Sequence, residues 1–250
     1  MTHADIYTKF MIEYDKANVT SSYPSLTEYE VATFLDKAYN ALISQKVTGN
    51  NIRRTPFEAD TKSVSDLQGL VKRENVQFTH SIDSTNVVGF NISQTIPDFL
   101  YFVNLHLNTQ VSNPQDHLYG RTLQCKMVSH DMAQKFIVSA SNIPWIKNPV
   151  CFIEDGMIFV VVDPIKDLDN ITNGSIVYIR KPNPFVKDLD HINGAVSFFA
   201  WNGNTVPNAY KFELTDVMAE ELISLAITFA LENVESQRLN TKLNTRGLEG

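Results

Sequence analysis

Few residues in this chain have the type and spacing to do chemistry. His130 and Asp131 stand side by side, and adjacent imidazole and carboxylate donors hold a metal ion in some phosphohydrolases when further histidines converge on them. No nearby histidine pair completes such a set, and the short helical run from about 131 to 139 makes Ser129 or Asp131 a better helix cap than a ligand. Cys125 lies five residues before His130, but a thiolate–imidazole nucleophile needs a depressed thiol pKa and a third orienting group. Asp163, Asp167 and Asp169 with Gly174 have the outline of a calcium loop, yet Ile171 takes a ligand position and the glycine is out of register, so they read as turn-forming acids. His80, His106 and His117 are scattered among strand and loop residues as isolated polar side chains. The G-x-S-x-G elbow, the phosphate-cradling G-x-x-x-x-G-K-S/T loop and the H-E-x-x-H helix are missing. The expectation is a protein that is not an enzyme, with no catalytic, metal-binding or cofactor-binding residues.

Binding chemistry is better represented. Phe198, Phe199 and Trp201 with Asn202 and Asn204 combine aromatic faces with amides, which suits a sugar, although contiguous Phe-Phe in an apolar run is the commoner mark of a core. Arg238, Lys242 and Arg246 recur every four residues after a strongly acidic helix, and such a tail could dock on an acidic patch of a neighbour. Glu220, Glu221, Glu232 and Glu235 are candidate partners for it, or simply a solvated face. These acids belong to a chain of net charge −7, with 28 Asp and Glu against 21 Lys and Arg, which argues against a whole-surface grip on phosphates.

The elements that would position these groups can be read from periodicity. Ile6, Tyr7, Phe10, Met11 and Tyr14 mark a first helix; Ser25 and Glu28 suggest a capping box for a second, whose face is Val31, Phe34, Leu35, Ala38 and Leu42. A short turn between them predicts a helical hairpin. Phe57, Val64, Leu67, Leu70 and Val71 predict a third helix. Short β-rich runs follow at 76–82, 87–92, 100–107, 123–128, 150–153, 157–162 and 176–179, with a slip of alternation between Phe102 and Leu105 that signals a bulge or an edge. Glu154-Asp155-Gly156 is the strongest hairpin signal. Thr215 caps a long closing helix with one buried stripe, Val217, Met218, Leu222, Leu225, Ala226 and Phe229, and one acidic surface.

The fold class expected is α+β: an N-terminal helical hairpin, a central mainly antiparallel sheet, and a long C-terminal helix with an extended tail. The chain reads as a single domain over 1–250, comprising a helical part at 1–72, a β-rich part at 73–212, the closing helix at 213–236 and the tail at 237–250. With 43% hydrophobic residues the bulk can bury a core, and the two cysteines, Cys125 and Cys151, read as buried small hydrophobes in a protein made in a reducing cytosol. The N-terminus lacks a signal-peptide pattern, and no apolar run approaches the ~18 residues of a membrane span, so no membrane is expected as partner.

Beyond these patterns, Leu225-Ala226-Ile227-Thr228-Phe229-Ala230-Leu231-Glu232-Asn233-Val234-Glu235-Ser236 with Gln237-Arg238 resembles the closing segment of ring proteins in crAss-like tailed bacteriophages. Tyr14-Asp15-Lys16 and Leu26 through Ala38 resemble their opening helices; Pro97 through Phe102, Pro144 through Pro149, and Ile179-Arg180-Lys181-Pro182 follow in matching order. The resemblance implies a virion structural protein of the neck or tail, in a head-to-tail connector. It further implies a homo-oligomeric ring of twelvefold order that extends the portal channel, contacts the portal or adjacent ring and tail proteins, and passes genomic DNA without gripping it. On that reading Arg238, Lys242, Arg246, Glu220 and Glu221 are inter-subunit contacts. The alternative is a carbohydrate- or host-surface-binding module of a phage tail.

Overall fold

The computed structural model describes residues 1–16, 26–48, 61–80, 87–108, 115, 119–138, 148–162, 173–185 and 211–233. The chain divides into two compact units: a helical one from Met1–Leu70 and Pro182–Gly250, and a sheet unit, Val71–Lys181, inserted between those segments.

In the helical unit, α1 (His3–Lys16) buries Ile6, Phe10 and Tyr14, one residue per turn. The next helix, α2 (Glu28–Thr48), buries Val31, Ala32, Leu35, Ala38, Tyr39, Leu42 and Ile43, a stripe at the helical period. Its capping box is built by Thr27 and Glu30, two residues beyond the expected pair: the Thr27 N–H donates to the Glu30 carboxylate at 2.7 Å and the Glu30 N–H to Thr27 Oγ1 at 3.3 Å. Ser25 lies outside the described residues. A short helix α3 (Thr61–Leu67) and a 3-10 turn at Gln68–Leu70 follow.

The closing helix α6 (Asp216–Asn233) starts where expected, with the Met218 N–H donating to Thr215 Oγ1 at 3.4 Å. Its surroundings differ from the expectation of one stripe and one acidic surface. From Leu222 to Leu231 every residue except the half-buried Phe229 is buried, and both α1 and α2 pack on it. A helix that is apolar nearly all round belongs inside a core, and α6 is the main helical partner of both α1 and α2.

In the sheet unit, β1 (Val71–Gln77), β2 (Thr79–His80), β3 (Val87–Asn91), β4 (Phe99–Asn108), β5 (Thr122–Met127), β6 (Val150–Glu154), β7 (Met157–Val161) and β8 (Asn173–Arg180) form one eight-stranded sheet among the described residues, ordered β1-β8-β4-β5-β6-β7-β3-β2. The two ends of that order are consecutive in the chain, with only Phe78 between β1 and β2, so the sheet curls to bring β8 and β3 to one bent segment, while β1 itself pairs only with β8 among the described residues. Phe78 itself sits at the seam, its ring 5.7 Å edge-on from Phe90 of β3 and directly over Gly174 of β8. The inside of the curl is apolar, with Leu105, Leu107, Cys151, Ile158, Val160 and Ile176 all buried.

Six of the seven pairings are antiparallel; β5 and β6 run parallel, Met127 opposite Cys151. A parallel pair needs a crossover, and α5 (His130–Val138) supplies it, packing through Ala133 on the outer face of Val150, Phe152 and Val161. The slip of alternation in β4 is a bulge between Phe102 and Asn104, with a second between Phe99 and Tyr101; β4 is paired on both sides and is not an edge. The β6–β7 turn is the hairpin expected, Asp155 at φ 47° and Gly156 at φ 69°, the positive pair of a two-residue turn. Val71 opens β1 instead of ending the third helix, and the one-turn α4 (Ile92–Thr95), capped by Asn91, has no counterpart in the periodicity.

Candidate functional site

Charged side chains on the helical unit are organised around α6. Asp216 lies in its first turn, where the helix dipole favours an acid, and takes the Met1 ammonium at 2.6 Å. One turn on, the exposed Glu220 pairs with Lys9 of α1, and this contact, more than any other, holds the Lys9 ammonium above its ordinary pKa. Glu221 turns inward instead. Lys46 reaches it at 3.2 Å and Asp66 at 3.1 Å, so a single ammonium ties α2, α3 and α6 together. Burial works against the Lys46 charge, yet the two carboxylates overcome it and raise its pKa. Both acids named as interface residues therefore already have cations within the subunit, Glu220 at the surface and Glu221 partly covered. Arg238, Lys242, Arg246 and Glu235 lie outside the described residues, and Glu232 is exposed at the end of α6.

The sheet unit carries a feature that sequence patterning missed. β1 pairs only with β8 among the described residues, and its residues Lys72 to Asn75 are exposed, so one flank of a seven-residue strand presents main-chain donors and acceptors. Its sequence Val-Lys-Arg-Glu-Asn-Val-Gln lacks the alternation of a half-buried strand, which is why periodicity passed over it. At its start Lys72 binds Asp98 at 2.7 Å, and Tyr178 donates to the same carboxylate at 2.8 Å. Burial of Asp98 favours its neutral form, but these two hydrogen bonds outweigh it and hold the carboxyl below its usual range; Tyr178 is pushed up, first by burial and then by Asp98. At the other end of β1 opens a cleft of about 560 Å³ lined by the amides of Asn75, Gln77, Asn108 and Asn173 with Thr95. The Asn173 Oδ1 atom is buried without a hydrogen-bond partner. A neutral cleft of amides with an unused acceptor suits a ligand that brings N–H groups.

The other chemical candidates fall apart in space. Cys125 does not face His130: its thiol lies inside the curled sheet next to Cys151, where burial pushes its pKa up, the opposite of what a nucleophile needs. His130 begins α5 and stands 3.6 Å from Glu154, while the Ser129 carbonyl accepts the Ala133 N–H at 3.0 Å and so opens the helix. No group of three His, Cys, Asp or Glu with metal-holding geometry occurs among the described residues. Gly174 lies in β8; Asp163, Asp167 and Asp169 lie outside the described residues, as do His117 and the aromatic set Phe198, Phe199, Trp201, Asn202 and Asn204. No described helix is long and apolar enough to cross a membrane.

The model of a family described as phage tail ring protein 3/4, of the crAss-like ring type, matches residues 1–241. No curated protein matches this chain.

Proposed function

The chain belongs to the crAss-like phage tail ring protein 3/4 family, and from this premise we propose that its copies close into a ring of twelve in the head-to-tail connector, extending the portal channel for genome passage. The coarser part is given by the family: a structural protein of the virion that assembles with other tail proteins. The single observation that carries the reading is the match over 1–241, which takes in both units. A ring requires heterologous contacts, one surface of the subunit against a different surface of the next, closing by rotation. Two properties of the chain favour this use. Its net charge of −7 disfavours adhesion of a DNA duplex sliding through the lumen. In the sequence, Arg238, Lys242 and Arg246 follow α6 as a basic series that suits a neighbouring copy, and Glu220 and Glu221, the acids first expected to receive it, would do so only by sharing or exchanging Lys9 and Lys46. The portal and the adjacent rings are the partners proposed above and below, and the host cytoplasm is the proposed site of synthesis.

Truncation after Val234 tests the interface. The shortened chain is expected to keep the circular dichroism and unfolding midpoint of the full chain while losing the ability to form rings or to enter the tail. Normal assembly of the truncated protein would remove the tail from the interface.

A further inference from the structure

We propose that residues 238–246 of a neighbouring copy add as an extended strand to the open flank of β1 and run into the amide cleft at its end. This deepens the ring reading and rests on it for the presence of a second copy. Arg238-Leu239-Asn240-Thr241-Lys242-Leu243-Asn244-Thr245-Arg246 alternates without a break: Arg, Asn, Lys, Asn and Arg at even positions, Leu, Thr, Leu and Thr at odd ones. That is the period of a strand with one polar, basic face and one apolar, β-branched face. The acceptor strand is shorter than the segment, which leaves residues to run on into the cleft. β1 is seven residues long, its exposed stretch Lys72–Asn75 is unpaired on one flank among the described residues, and its side chains nearly cancel in charge because Lys72 is taken up by Asp98 and Arg73 is followed by Glu74. A strand laid along it gains main-chain hydrogen bonds that need no particular side chain. The cleft then supplies selectivity: Asn75, Gln77, Asn108 and Asn173 present amides, and the buried Asn173 Oδ1 lacks the donor that a main-chain N–H or the amide of Asn240 or Asn244 would provide. A long exposed edge is an aggregation hazard in a free protein, and occupation by the next copy in a closed ring would remove it.

The test mixes two full-length variants, one carrying Asn75→Cys and the other Asn240→Cys, and treats them with a short bis-maleimide. Cys125 and Cys151 are buried, so the unsubstituted chain serves as the blank, and Gln134→Cys on the exposed side of α5 paired with Asn240→Cys is the control for proximity. Expected is a cross-linked heterodimer from the Asn75 mixture and none from the Gln134 mixture. A mixture that forms rings yet gives no Asn75 heterodimer overturns the strand pairing and leaves the ring reading intact. A mixture that stays monomeric with no cross-link overturns the pairing and counts against the ring reading as well. A cross-link found only within the double variant Asn75→Cys/Asn240→Cys, inside one chain, would show the tail on its own β1 and also overturn the exchange between copies.

Discussion

His3 shows what burial does to a single side chain. It is 1% exposed, stacked on Phe185 with 4.0 Å between ring centroids, and burial lowers its pKa from 6.5 to about 4. Between those values the unfolded chain holds a proton that the folded chain does not. Its share of stability is therefore complete above pH 6.5 and shrinks as the pH falls toward 4, by up to about 3 kcal/mol. Urea midpoints measured from about pH 7 down to pH 5 should fall for the wild-type chain and stay flatter for His3→Phe; equal slopes would contradict the assignment. Gly69 is a case of space. A Cβ there would run into the Glu213 carbonyl oxygen, in the backbone of the segment that leads into α6. Gly69→Ala should cost about 1–3 kcal/mol, the range for overpacking, read as a lower unfolding midpoint. Neither effect was legible in the sequence, because both depend on which distant segment arrives: residues 183–185, whose Phe185 N–H donates to Asp36 at 2.7 Å, and Glu213, which accepts from Asn183.

Among the elements, those with a strong local signal were the readable ones. The stripe of α2, the Thr215 cap of α6, the Asp155-Gly156 turn and the bulge after Phe102 all follow from spacing or turn chemistry, and all stand in the structure. What spacing could not supply was the partner. Spacing reads α6 as amphipathic with its acids on one surface, whereas Glu221 is drawn inward by Lys46 and the helix is covered by α1 and α2. The parallel β5–β6 pair and the edge position of β1 are likewise properties of topology, which no seven-residue window contains. The Lys46–Asp66–Glu221 junction carries a prediction at this scale. Lys46 and Asp66 side chains are only 14% and 11% exposed, so Lys46→Ala strands two carboxylates and should destabilise the helical unit by about 3 kcal/mol. The triple change Lys46→Met, Asp66→Leu, Glu221→Leu should restore most of that loss, since no charge then remains unpaired. If Lys46→Ala unfolds at the wild-type denaturant concentration, the junction does not link the three helices energetically.

At the scale of the whole molecule, the chain is a helical unit into which a curled sheet is inserted, and its family makes it a tail ring protein. The interface proposed for residues 238–246 rests on a charge pattern in the sequence; the edge position of β1 among the described residues is a matter of strand order, which no local pattern contains. The central claim is that copies of this chain close on themselves into a ring. Its most direct measurement is the native mass of the purified full-length protein together with electron microscopy of the large species and of the virion neck. A closed ring with one copy per repeat, in solution or within the particle, is the predicted result, with twelve copies as the number proposed. A strict monomer that is also absent from virions would contradict the account.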